Sequence, residues 1–317
     1  MHPRALILGT ALAVSAAPAS VVAPAPAVPV PAGSPAAATS PSAGARPAGG
    51  VYVAHFGDRR ENKVEALVHR RGAWTRRTAG GPGFVGQFSV SPDGRRIAWI
   101  DARSRLRVTG PSGDRVIARD ARYIGPCATP AWSPDGRRVA YPLDAEAGTP
   151  VVMVVGADGR GRARLGRTRG VCHLAWSGDG RVLAGYAGTT DGVCLLDTVT
   201  GKSRRVPGVD LANHVESLSE DGRRIVVRTI RRSEPAGDGS WPAWFTPSIY
   251  DTRTGRKIAV PVGGRLIGAR YLPGDRLAVR VAGRTHNTLV IVSSGGTRER
   301  VAEPARVRKH ALVRVLR

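Results

Sequence analysis

A turn motif of the form Ser-Pro-Asp-Gly-Arg returns every 42 to 44 residues, short apolar segments flank each copy, and no helical period of useful length competes. Together these predict an all-β chain, a six-bladed β-propeller closed by its C-terminal strand, behind a signal peptide and a disordered Pro/Ala-rich linker. The boundaries read from the sequence are a signal peptide over 1–20, a linker over 21–50 and a propeller over 51–317.

The N-terminal reading rests on composition. Arg4 precedes a 13-residue apolar stretch from Ala5 to Ala17, the length of a signal-peptide core and short of the ~20 residues a spanning helix needs. Small residues follow, Val14-Ser15-Ala16 and Ala17-Pro18-Ala19, where a signal peptidase can cut. The first cysteine is Cys127, so no lipid-anchor motif accompanies the signal. Residues 18–50 hold 8 Pro and 11 Ala, with Arg46 the one charge; such a stretch cannot bury a core and favours extended conformations. Secretion, or residence outside the cytoplasm in the cell envelope, is expected, with no integral membrane domain.

The repeat carries the fold. Ser91-Pro92-Asp93-Gly94-Arg95-Arg96-Ile97-Ala98-Trp99 recurs as Ser133-Pro134-Asp135-Gly136-Arg137-Arg138-Val139-Ala140-Tyr141. Looser copies begin at Ser177 and Ser219, and a degenerate one at Leu272, giving spacings of 42, 44, 42 and 53 residues. Pro presets φ, Asp caps the turn, and Gly takes the positive φ that follows a type I turn in a bulged hairpin. The segments before the turns (84–90, 128–132, 171–176, 212–218) read as first strands and those after as second strands. Third strands follow at 105–109, 150–155, 192–197, 248–251 and 288–292, each ahead of a Gly turn and a more basic fourth strand. The 267 residues from 51 onward make about 44 per blade in six blades. A sixth unit is split: 51–56, 66–70 and 75–79 lack a first strand, and 307–316 is a first strand with no turn after it, so pairing them closes the ring.

The repeated S-P-D-G-R-x-[IVL]-A-[WYF] resembles the repeats of TolB-type β-propellers, over residues 51–317. The resemblance implies an exported six-bladed propeller. TolB carries in addition a small N-terminal α/β domain that residues 18–50 do not supply. What is implied is therefore the propeller, not docking to an outer-membrane lipoprotein. Related repeats occur in prolyl-oligopeptidase-type propellers, but the repeats here occupy 51–317 and leave no hydrolase domain.

Catalytic motifs are absent: no G-x-S-x-G, H-E-x-x-H, C-x-x-C or phosphate loop occurs. The turn serines recur at equivalent places, which marks them as structural. Ligands of propellers gather where the loops entering the first strands and those between second and third strands converge. Those loops carry Arg122, Arg169, His173 and His214. The two histidines precede consecutive turns by 4 and 5 residues. They fit either a channel-facing pair for an anionic ligand or metal, or two partly buried rings bonded to backbone. No Asp/Glu/Cys set completes a shell, so no metal and no cofactor is assigned. Residues 231–247, the longest departure from the repeat, hold Trp241, Trp244 and Phe245, 3 of 16 aromatics, as candidate binding contacts. Cys127 and Cys172 also sit on consecutive first-strand entries and can form a disulfide in an oxidising compartment.

The function expected is that of an exported, non-catalytic, monomeric binding module with a protein or envelope polymer as partner. A lactonase- or lyase-like enzyme and a polyanion binder are the alternatives. Lys+Arg number 48 against 24 acids, a net +24, and 44 of the 48 are Arg. Residues 1–50 contribute two Arg and no acid, leaving +22 on the propeller. The Arg are dispersed as short pairs, which argues against specific nucleic-acid binding. Pairs at 95–96, 137–138 and 223–224, with Arg181 and Arg276, follow the turns and are expected to ring one face, opposite the ligand loops.

Overall fold

The computed structural model describes residues 46–54, 62–143, 148–234 and 244–317. Residues 1–20, read as a signal peptide, most of 21–50, read as a linker, and Trp241 lie outside the described residues.

The described chain folds into six four-stranded antiparallel sheets. Three strands of the first blade open the chain: β1 (Gly49–Val53), β2 (Lys63–Arg70) and β3 (Ala73–Gly80). Blade two is β4 (Phe88–Val90), β5 (Ile97–Ile100), β6 (Leu106–Gly110) and β7 (Gly113–Ala118). Blade three follows as β8 (Ala131–Trp132), β9 (Arg138–Pro142), β10 (Val151–Gly156) and β11 (Ala163–Arg167). Blade four runs β12 (Gly170–Trp176), β13 (Val182–Ala187), β14 (Val193–Asp197) and β15 (Ser203–Arg205). Blade five is β16 (Ala212–Leu218), β17 (Arg224–Thr229), β18 (Ser248–Asp251) and β19 (Lys257–Ile258). Blade six is β20 (Leu266–Leu272), β21 (Arg276–Val281), β22 (Thr288–Val292) and β23 (Arg298–Ala302). The last strand, β24 (Ala311–Leu316), returns to the first blade, whose order is β24-β1-β2-β3. The closure expected from the split repeat is therefore present, with Val51 opposite Arg314 and Val53 opposite Ala311.

Two boundaries differ from the sequence reading. The closing strand starts at Ala311, because Ala305–Val307 forms a 3-10 turn ahead of it. At the other end β1 starts at Gly49, inside the stretch read as linker. Gly49 has φ +154° and a Cβ there would stand 1.8 Å from the His69 carbonyl oxygen, so this pairing needs glycine. Composition alone hid two Gly of a strand in a Gly/Ala/Pro tail.

The turn motif works through its side chains. Gly94 and Gly136 take φ of +71° and +68°. The Asp93 carboxylate accepts from Ser91 Oγ (2.5 Å) and Arg95 N (3.1 Å), while Ser91 Oγ accepts from Arg96 N (2.9 Å). The same three bonds recur at Ser133/Asp135, Ser177/Asp179 and Ser219/Asp221. Burial acts to raise the Asp93 and Asp135 carboxyls, but these bonds and the arginine charges outweigh it and hold both below the usual range. Pro is dispensable, since Gly178 and Glu220 replace it. In the degenerate copy Asp275 reaches back to accept from Glu220 N (2.7 Å), tying blade six to blade five.

First strands pack side by side around the axis: β24 on β4, β4 on β8, β8 on β12, β12 on β16 and β16 on β20. Between them lie the apolar clusters, filled by Phe88, Ile100, Tyr141, Tyr186, Leu196 and Ile249, all buried. Tryptophans at the ends of first strands bond to the preceding blade: Trp132 Nε1 to Ser89 O (3.2 Å) and Trp176 Nε1 to Ala131 O (3.1 Å). The closing strand is fastened in the interior by the buried Arg280–Glu303 pair (2.8 Å), whose Arg280 Nη1 also donates to His310 O (2.6 Å) just before β24.

Candidate functional site

The ring has two rims. The first-to-second-strand turns form one, called here the turn rim. The loops entering first strands, with those between second and third strands, form the loop rim.

A chain of polar groups crosses the channel between the rims. His173 on β12 adopts φ +47°, rare for a side chain with a Cβ, and is 1% exposed. Its Nδ1 meets His214 Nδ1 of β16 at 2.7 Å, so one proton lies between the two rings. His214 Nε2 meets Glu216 Oε2 at 2.8 Å, and Glu216 pairs with Arg270 of β20. Arg270 donates to the Val313 carbonyl, and Arg314 Nε donates to Val90 O (2.8 Å). Five blades are thereby linked: four, five, six, one and two.

Electrostatics follow from this arrangement. Burial, and then the charge of His214, push His173 well below the ordinary histidine value; the Pro126 carbonyl acts weakly against them. His173 is neutral at physiological pH. Burial acts to raise Glu216, but Arg270, then His214, hold it below the carboxylate range. Arg314 is pushed down to about 9 by burial and the neighbouring Arg270, against the pull of Glu216. The histidine pair is a hydrogen bond, not a chelate: two imidazole nitrogens on one tetrahedral zinc stand roughly 3.3 Å apart. Among the described residues no group of three His, Cys, Asp or Glu is placed to hold a metal.

Below these groups lies a channel cavity of about 430 Å³. Its lining runs from His173, Glu216 and Arg270 to Pro92, Pro134 and Pro273 of the turns. It meets solvent at the turn rim, so its mouth shares the face of the arginine ring, opposite the loop rim. Of the ring, Arg95, Arg137, Arg138, Arg181, Arg223 and Arg224 are exposed. Arg96 stacks on Trp132 at 4.6 Å, and Arg276 is buried.

A second hollow, about 650 Å³, lies on the loop rim between blades three and four. Arg122, Ile124 and Arg169 line it with Thr149 and Thr189. Its floor carries the Cys127–Cys172 disulfide, which joins the two first-strand entries across 45 positions. Arg122 and Arg169 form no ion pair among the described residues, and Ile124 is 43% exposed. Gln87 braces this rim from below, donating to Arg122 O (2.9 Å) and Ala128 O (2.8 Å).

The sequence candidates thus divide. Arg122, Arg169 and the disulfide come together in the loop-rim hollow, and His173 and His214 in the channel. Phe245 joins neither surface: it is buried, edge-on to His214 at 4.8 Å, because the chain after the long loop turns inward onto blade six. Trp244 is half-buried and anchored, donating to His310 O (3.1 Å). Cys194 is the free cysteine, its thiol raised by burial. Arg270 and Arg314 escaped sequence reasoning. Their signal is a charge inside an apolar first strand, in LIGARYL and ALVRVL, as with Glu216 in ANHVESL.

Several solved structures share this architecture. TolB from Acinetobacter baumannii matches with TM-score 0.52 at 16% identity, over 83% of this chain and 64% of that one. A chain of a nidogen/laminin complex matches with TM-score 0.48 at 13% identity, over 84% and 99%. A protein of Agrobacterium tumefaciens assigned as TolB matches with TM-score 0.46 at 14% identity, over 83% and 93%. The chain therefore spans less than two thirds of the Acinetobacter TolB. At these identities the likeness is one of fold, the TolB-like six-bladed propeller. No family model matches the sequence, and no curated protein matches it.

Proposed function

We propose that the protein is an exported, non-catalytic binding module that presents the loop-rim hollow to an extracytoplasmic protein or envelope polymer. The observation that carries this reading is the hollow itself: Arg122 and Arg169, with no ion pair among the described residues, beside exposed Ile124, on a floor held by a disulfide. Two guanidiniums flanking an exposed aliphatic side chain suit a partner segment that pairs carboxylates with an apolar residue. A covalently held floor keeps the ordering cost of binding low. The disulfide fits an oxidising compartment, in line with the signal-like N-terminus. Glu216, the carboxylate an acid–base reaction in the channel would call on, is tied between Arg270 and His214, which suits a structural link better than a proton carrier.

Crosslinking the exported protein in its native envelope tests this. Wild-type protein should capture a discrete partner, and the Arg122→Ala/Arg169→Ala pair should bind that partner at least tenfold more weakly with an unchanged melting temperature. Unchanged affinity in the double variant overturns the assignment of the hollow.

A further inference from the structure

We propose that the channel cavity at the turn rim is a binding site for a compact oxyanion, a phosphate or carboxylate group carried by a small solute. It is separate from the loop-rim hollow, and its argument does not depend on that reading.

Three observations converge on one enclosed space. First, the cavity has more cation than its own anions use. Arg70, Arg270, Arg314 and Arg317 line it with Asp93, Glu216 and Glu220. Each carboxylate is already engaged: Glu216 by Arg270 and His214, Asp93 by Ser91 and Arg95 N, and Glu220 by Gly274 N (3.3 Å). Arg70 spends a terminal nitrogen on Asp93 O (2.9 Å). Arg314 spends only Nε, on Val90 O, and no acceptor among the described residues meets its two terminal nitrogens.

Second, donors at this cavity are buried without acceptors. Ser89 is 8% exposed and its Oγ has no hydrogen-bond partner among the described residues; Arg317 Nη2 is buried and equally unmatched there. Buried donors are normally satisfied, and leaving one unmade is costly. A hydroxyl and the ends of two guanidiniums around one space make the donor set that a tetrahedral or planar oxyanion accepts from. Third, two of these cations are electrostatically stressed. Burial and Arg270 depress Arg314, and burial and Arg276 depress Arg317. A bound anion relieves both penalties. The volume, about 430 Å³, is within the range of small-molecule sites, and the narrow channel excludes a folded protein domain.

Isothermal titration at fixed ionic strength, with inorganic phosphate and citrate as probes against chloride, tests the site. The expected result is saturable one-to-one binding of at least one probe, which also says whether phosphate or carboxylate is preferred. Arg314→Gln should weaken it tenfold or more and Ser89→Ala about threefold, whereas Arg137→Gln, the same charge loss on the outer rim, should change it by less than twofold. If Arg314→Gln fails to fold, Arg314→Lys and Ser89→Ala carry the comparison, each expected to weaken binding with melting temperature retained. Absence of saturable binding of either probe overturns the proposal. So does an equal loss in Arg137→Gln. Tight binding of a long polyphosphate without binding of either small probe overturns it too, by placing the affinity on the rim.

Discussion

His173 concentrates several costs in one residue: a left-handed backbone, complete burial and a second imidazole at 2.7 Å. Its neutrality in the fold has a definite consequence for pH. In the unfolded chain a histidine takes up a proton near pH 6.5, which the folded site refuses. The unfolded state therefore binds more protons below that value, so the contribution of His173 to stability is complete above pH 6.5 and is lost as pH falls beneath it, by up to about 1.4 kcal/mol per pH unit. His69, lowered by burial and by Arg306, adds in the same direction. Denaturant unfolding at pH 7.5, 6.5 and 5.5 should show this decline, and His173→Asn, which tolerates the left-handed backbone, should flatten it. A wild-type unfolding free energy that is level across the range contradicts the assignment. At this scale the sequence was readable where chemistry repeats and where the repeat fixes a single residue's place in the ring. The roles of Ser91, Asp93 and Gly94 follow from the turn motif, but the histidine contact depends on the lateral packing of β12 against β16. The offsets of 4 and 5 residues before consecutive turns already put the two histidines on adjacent first strands; they leave open what each ring bonds to. The sequence did not decide Phe245, because a lone aromatic on an irregular loop reads alike whether it faces solvent or the core.

Strands and turns were legible almost throughout, since a period of two and a recurrent Asp-Gly turn are local signals. Third strands such as Ser248–Asp251 and Thr288–Val292 fall where the repeat placed them. Element-level stability depends on fastenings between blades rather than on any one sheet. The Cys127–Cys172 bridge is one, closing 45 residues that contain all of blade three. In the chain-entropy picture it stabilises by about 4 kcal/mol. Cys127→Ser/Cys172→Ser should lower the unfolding free energy by roughly that amount, and adding reductant to wild type should reproduce the loss without affecting the variant. A double variant as stable as wild type would show that the blade-three and blade-four entries are held in register by their hydrogen bonds, such as His173 N to Cys127 O (2.9 Å), without help from the bridge.

The molecule as a whole carries its charge unevenly. Excess Arg on the turn rim and in the channel self-repels at low ionic strength. Screening at the Debye length of 0.15 M salt, about 8 Å, relieves the rim but reaches the enclosed channel less. Melting temperature should therefore rise from 20 to 300 mM sodium chloride, and rise further with phosphate at equal ionic strength if the channel site fills. A flat or falling salt profile would mean that the rim arginines are neutralised locally. The sheet closed by both chain ends has a further consequence, one of timing. β1, β2 and β3 are made first, yet their blade lacks its innermost strand until Ala311–Leu316 arrives more than 230 residues later. Contacts of such sequence separation are slow to form. A chain delivered N-terminus first, from a ribosome or across a membrane, cannot lock its ring before β24 is free, and so stays threadable until that strand has been delivered.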